Sequence, residues 1–132
     1  MDAAANADNA LLPRHWDREQ DALQQDWSRE RVWCNPPYSR PGPFLANAET
    51  AQLAVVLLPG NCLTTCYAHD HSPCHVAVLR GRLSFESPDG PGGQAGAAPF
   101  GSVLFLYGDI TEFEINELHR EGFQVWSNRR QP

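Results

Sequence analysis

Six residues, Leu53 to Leu58, form an unbroken apolar run that Pro59-Gly60 stops. A run of this length with no polar alternation fits a strand buried on both faces, as in a parallel sheet. Upstream, Arg31-Val32-Trp33-Cys34 is short, apolar and β-prone, and a proline-rich break follows it. Between the two, Phe44 to Ala51 reads as a helix after prolines, with Phe44, Leu45 and Ala48 on one face. Strand, helix and strand make a βαβ unit with a right-handed crossover. Downstream, Val76 to Leu79, Leu83 to Glu86, Ser102 to Tyr107 and Phe123 to Trp126 read as further strands. Glu112 to Arg120 reads as a surface helix with Phe113 and Leu118 as anchors, stopped by Gly122. Ala22, Leu23 and Trp27 are placed to line one face of a helix between Trp16 and Trp27, with Asp21 and Asp26 flanking it as solvated acids. Met1 to Asn9 reads locally as an Ala-rich helix start capped by Asp2. The Gly-, Pro- and Ala-rich stretch from Ser87 to Phe100 reads as a loop, and the basic tail from Ser127 as loose. The expected fold is an open α/β sheet, organised as one domain over residues 1–132.

Composition narrows the function. A chain of 132 residues is long enough for one domain with a core. No apolar run is long enough to span a membrane, and no basic region followed by an apolar core marks a secretory signal, so a cytoplasmic protein with reduced cysteines is expected. The net charge of −6 disfavours a general nucleic-acid binder, so any such contact needs a local patch. Arg80 and Arg82 share a parity around Gly81 and form the best such patch, suited to phosphate, with an ion-paired edge as the alternative.

The chemistry concentrates in Asn35-Pro36-Pro37-Tyr38, at the expected carboxyl end of a strand, where open α/β sheets place their ligand crevice. Each residue has a use if the substrate is an exocyclic amine on a flat ring. The lone pair of such an amine is delocalised into the ring. The Asn35 carboxamide oxygen and the Pro36 carbonyl can accept its two N–H bonds, drawing the nitrogen towards tetrahedral geometry and holding it in line with a methyl donor. Proline after Asn35 fixes the backbone, and Tyr38 offers a face on which a base can stack. The plain alternative is a strand ending in a proline-rich turn.

Asn61 to His75 holds Cys62, Cys66, His69, His71, Cys74 and His75. Thiolate and imidazole are the zinc ligand set, which raises a small zinc-binding module as an alternative. The spacings match no common finger or ribbon, so no bound metal is expected, and buried cysteines with surface histidines are the plainer reading. Thr64 and Thr65 are candidate polar contacts beside a ligand.

With these residues in hand, the chain resembles the phage-type N6-adenine DNA methyltransferase (Dam) family. Asp2-Ala3-Ala4-Ala5 with Asn9 resembles the family's Asp-x-x-Ala segment. Asp21-Ala22-Leu23 and Asp26-Trp27 resemble the acidic and Trp positions that follow it. Val32 to Ser39 resembles the catalytic motif and is the most specific match. Val55 to Pro59 with Thr64 and Thr65 resembles the next strand and its threonine-bearing loop, and Gly81-Arg82-Leu83-x-Phe85 a segment before a glycine-rich loop. The resemblance implies a Rossmann-like sheet, S-adenosylmethionine as cofactor and double-stranded DNA as partner, with the target adenine turned out of the duplex. It implies that Asn35, Pro36, Pro37 and Tyr38 are catalytic and that Asp2, Ala4, Asp21 and Asn35 contact the cofactor. It casts Arg80, Arg82, Thr64 and Thr65 as nucleic-acid contacts. The family has a strand before its Asp-x-x-Ala segment, whereas this sequence starts at Met1. An N-terminally truncated sheet with unpaired backbone groups is therefore expected, and an inactive binding or structural remnant is the alternative to an enzyme.

Overall fold

The computed structural model describes residues 1–5, 10–17, 19–37, 39–64 (63 and 64 by backbone only), 71–79 and 101–127. Among the described residues, six strands make one mixed sheet: β1 (Asp2–Ala3), β2 (Arg31–Cys34), β3 (Leu53–Pro59), β4 (His75–Leu79), β5 (Ser102–Gly108) and β6 (Phe123–Ser127). Their order across the sheet is β1-β2-β3-β5-β4-β6. The first three are parallel, with Asp2 level with Trp33, Ala3 with Cys34 and Cys34 with Val56. β5 runs antiparallel to both β3 and β4, and β6 antiparallel to β4. Helix α1 (Gly42–Ala48) joins the parallel neighbours β2 and β3, as the apolar pattern predicts.

Period-two alternation sorts the strand side chains onto two faces. Val32, Cys34, Ala54, Val56, Leu58, Val103, Phe105 and Tyr107 pack in one cluster, together with Leu45 and Ala48 of α1. Leu57, Ala77, Leu104 and Leu106 form the second, against Trp33, Val55, Phe123, Val125 and Leu118 of α2 (Glu112–Arg120). β3 and β5 contribute to both clusters, which is why neither shows a polar face in its sequence.

Helix boundaries follow local chemistry. Pro43 lies in the first turn of α1, where a missing N–H costs nothing. The Thr111 hydroxyl accepts the Glu114 N–H at 3.2 Å and caps α2. Glu112 and Glu114 at its start and His119 and Arg120 at its end match the helix dipole. Gly122 follows at φ +98°, as expected of a stop. Phe113, expected as an anchor, is instead 70% exposed, and Leu118 alone of the two packs inward.

Two local expectations fail for stated reasons. Asp2 does not cap a helix; Asp2–Ala3 is a strand, because Trp33 donates its N–H to the Met1 carbonyl at 2.9 Å and β2 offers a free edge. β1 pairs with β2 at Trp33 and Cys34, so β2 is not left unpaired at these residues, and a bridge between Asp2 and His15 pairs the other side of β1. Nor is Trp16 to Trp27 one helix; among its described residues only Ala22–Gln24 is helical, as a 3-10 turn. Here short polar side chains capture the N–H groups a helix would use: Asp17 that of Gln20, Asp21 that of Leu23 and Asp26 that of Ser28. Ala22 and Trp27 are nevertheless buried on the α1 side of the sheet, and the Trp27 indole lies 5.8 Å from that of Trp16.

Candidate active site at the ends of two parallel strands

β2 ends at Cys34 because the next backbone donors are absent: Pro36 and Pro37 carry no N–H. Asn35 stands exposed just beyond the strand, Pro36 is buried beneath it and Pro37 is exposed. The Arg40 N–H closes a turn onto the Pro37 carbonyl at 3.2 Å, and buried Pro41 then leads into α1. An exposed carboxamide thus stands on a backbone anchored on both sides, by a strand paired on both its edges and by a buried proline. Tyr38 lies outside the described residues.

Because Ala3 and Cys34 are register partners, the residues that follow them, Ala4 and Asn35, leave the sheet at the same level. Ala4 is exposed and turns the chain at φ +60°. Asp2, two residues before it, is 4% exposed. Its Oδ2 accepts the Leu11 N–H at 2.6 Å, and its backbone exchanges bonds with Arg14 and Trp16. Burial raises the Asp2 carboxyl above its usual range, against the lowering effects of the Leu11 N–H, the terminal ammonium and His15. Cys34, fully buried, is pushed far up by the same desolvation and by the Asp2 charge, so its thiol is a core group and no nucleophile.

Asp2, Ala4, Asn35 and Pro36 are therefore brought together at the carboxyl ends of β1 and β2. Asp21 is exposed, with its Oδ1 on the Leu23 N–H, and no described contact joins it to that group. Thr64 ends a 3-10 helix, Gly60–Thr64, that leaves the carboxyl end of the neighbouring strand β3. Thr65, Arg80 and Arg82 lie outside the described residues. Sequence reading missed the support of Asp2, namely the Leu11 N–H and the His15 bridge. Both come from a loop-closing return of the chain, which leaves no periodic signal.

The described part of the Cys/His stretch ties elements together. The His71 ring meets Glu49, just past α1, at 2.7 Å, and the Tyr107 hydroxyl donates to the His71 carbonyl at 2.6 Å. Cys62 is buried, as expected of a small apolar cysteine, but Cys74 is exposed. His71 and His75 are half-buried. Among the described residues no three His, Cys, Asp or Glu side chains group as a metal site would require, and Cys66 and His69 lie outside them. No described helix is long and apolar enough to cross a membrane.

Comparison with known proteins adds an independent observation. A family model described as DNA N-6-adenine-methyltransferase (Dam) matches residues 1–127. The chain is 27% identical over 144 residues to a DNA N-6-adenine-methyltransferase of Escherichia phage T1, covering 90% of this chain and 58% of that protein. It is 38% identical over 48 residues to a protein of the same name from Haemophilus phage HP1 (strain HP1c1), covering 36% of this chain and 28% of that one. The chain thus spans less than two thirds of the length of these relatives. No solved structure matches it.

Proposed function

The chain belongs to the DNA N-6-adenine-methyltransferase (Dam) family, and from that premise we propose that it transfers a methyl group from S-adenosylmethionine to N6 of adenine in double-stranded DNA. One observation carries the reading: Asn35-Pro36-Pro37 follows the end of β2, beside the end of the neighbouring strand that holds Asp2. We read the sheet as the Rossmann-like sheet of one methyltransferase domain, working in the cytoplasm of a bacterium or of a phage-infected one.

The residues present suit the cofactor. Asp2 is a buried acceptor whose charge is under-compensated, as the raised carboxyl shows, so a cationic or hydroxyl-bearing group beside it is favoured. Ala4 presents only a methyl group at a sharp turn, which permits close approach. Asp2, Ala4 and Asn35 would hold the cofactor, with Asp21 contributing from the turn that begins Ala22–Gln24. When bound, S-adenosylmethionine supplies an electrophilic methyl group.

The protein's own residues then do the positioning. The Asn35 Oδ1 and the Pro36 carbonyl accept the two N–H bonds of the adenine amine. This favours tetrahedral nitrogen, where the lone pair is available, and both dipoles face the positive charge that develops there. The rigid proline backbone costs no reorganisation at that moment. Tyr38 stacks on the extruded base. Thr64 and Thr65 make polar contacts to the substrate, and Arg80 and Arg82 contact phosphate.

The test is transfer of labelled methyl from S-adenosylmethionine to duplex DNA, with the product nucleosides resolved. N6-methyladenine is expected. Label on cytosine alone, or none in a folded protein that binds the cofactor, overturns the reading.

A further inference from the structure

Arg40 stands apart from the other described arginines. Arg14 meets Glu30 at 3.0 Å, Arg31 meets Glu114 at 2.9 Å and Arg120 meets Glu117 at 3.0 Å. Arg29 lies near enough to Asp26 to help hold that carboxyl low, after the stronger effect of the Ser28 hydrogen bonds. Among the described residues, Arg40 has no carboxylate partner. In a chain of net charge −6, with 16 acidic side chains against 10 arginines, such a cation is unusual. Its backbone is held on both sides. The Arg40 N–H is bonded to the Pro37 carbonyl, and the next residue, Pro41, is fully buried and starts α1 through the Leu45 N–H. Its side chain is exposed, five positions along the chain from exposed Asn35.

We propose that Arg40 binds a phosphate of the DNA strand that carries the target adenine, and so positions that nucleotide at the mouth of the site. The inference deepens the reading above and rests on it. Arginine presents a planar fork of donors that suits phosphate oxygens. Held on the turn that closes onto Pro37, two residues after Asn35, it meets a phosphate near the extruded base rather than one at a distance. Overall repulsion between an acidic protein and DNA makes each local cation matter more to binding. The paired arginines, by contrast, already have their charges answered.

The experiment compares Arg40→Ala, Arg40→Lys and Arg120→Ala with the parent on one duplex, across a salt series. Arg40→Ala is expected to weaken DNA binding about tenfold, the scale of one charge-assisted hydrogen bond. It should do so alike on all sequences and lower the salt slope by about one unit. KM for DNA rises while kcat at saturating DNA holds, and the melting temperature and cofactor affinity stay at the parent's values. Arg40→Lys keeps the salt slope, and Arg120→Ala changes none of these. An Arg40→Ala protein with the parent's affinity and slope, in an enzyme that still methylates adenine, overturns the role of Arg40 and leaves the reading of the site standing. Failure of the parent itself to bind or methylate DNA overturns both. A fall in melting temperature that accounts for the lost binding assigns Arg40 to the fold instead.

Discussion

Ala3 and Cys34 lie side by side in adjoining parallel strands, and this pairing puts Ala4 and Asn35 at one level as their strands end. The role of Asn35 is the first thing to test. Asn35→Ala removes an acceptor that matters most when the adenine nitrogen becomes tetrahedral. kcat should fall on the order of a hundredfold or more, with cofactor affinity little changed. Tyr38→Phe should keep much of the activity that Tyr38→Ala loses, since stacking needs the ring. Steady-state kinetics with the three variants checks both; near-parent turnover in Asn35→Ala would return the motif to a plain turn.

Asp2 couples stability to pH in a direction opposite to the usual carboxylate. Its folded-state carboxyl is raised by burial, so the folded state holds the proton more tightly than the unfolded chain. Its favourable contribution is full below the unfolded carboxyl range and is lost as pH rises through the folded one. At neutral pH the charge therefore costs stability. Asp2→Asn keeps an acceptor for the Leu11 N–H and should fold at least as stably as the parent at pH 7, while binding S-adenosylmethionine more weakly. Thermal melts across pH, with calorimetric titration of cofactor, would show it; a large loss of stability at pH 7 contradicts the sign.

Trp27 belongs to the same buried cluster as Ala3 and Cys34. It is 1% exposed, and its Nε1–H donates to the Ala22 carbonyl at 2.8 Å. Trp27→Ala should cost about 3–5 kcal/mol through the cavity it leaves. Trp27→Phe should cost less, about 1–3 kcal/mol, chiefly for the stranded carbonyl. Urea unfolding of both variants gives the comparison, and equal losses reject the hydrogen bond as a separate contribution.

Gly108 ends β5 at φ +84°, and a Cβ there would sit 2.2 Å from the Gln52 carbonyl oxygen. Gly108→Ala therefore meets both a disfavoured backbone and a fixed atom. A loss of at least about 1–2 kcal/mol is expected from the backbone conformation alone. A melting temperature within a degree of the parent's would refute it.

The thiols should separate by reactivity. Cys34 is fully buried and its thiol is pushed up by burial and by Asp2, whereas Cys74 is exposed. Iodoacetamide at pH 8 should modify Cys74 in the native protein and reach Cys34 only on unfolding. Peptide mapping after timed quenching reads this directly.

Much of the sheet was legible in the chain. The Leu53–Leu58 run, the Gly42–Ala48 helix seen as a post-proline helix, and the Glu112–Arg120 helix each carry a strong local signal. Buried strands need continuous apolar residues, and helix ends need caps and stops, so local chemistry and global fold agree there. Asn35-Pro36-Pro37 was equally plain, because two prolines dictate both the strand's end and its rigidity. What the chain alone could not settle involves contacts far apart along it. Whether Asp2 capped a helix or entered the sheet depended on β2 offering a free edge some thirty residues later. Whether Trp16 and Trp27 lay on one helix depended on which side chains captured the intervening N–H groups. Local patterns decide where a strand can form, since propensity and burial act within a few residues. Only tertiary structure decides which strands meet, and hence that Asp2 and Asn35 share one end of the sheet, because that outcome belongs to pairing and packing between segments whose sequences carry no record of each other.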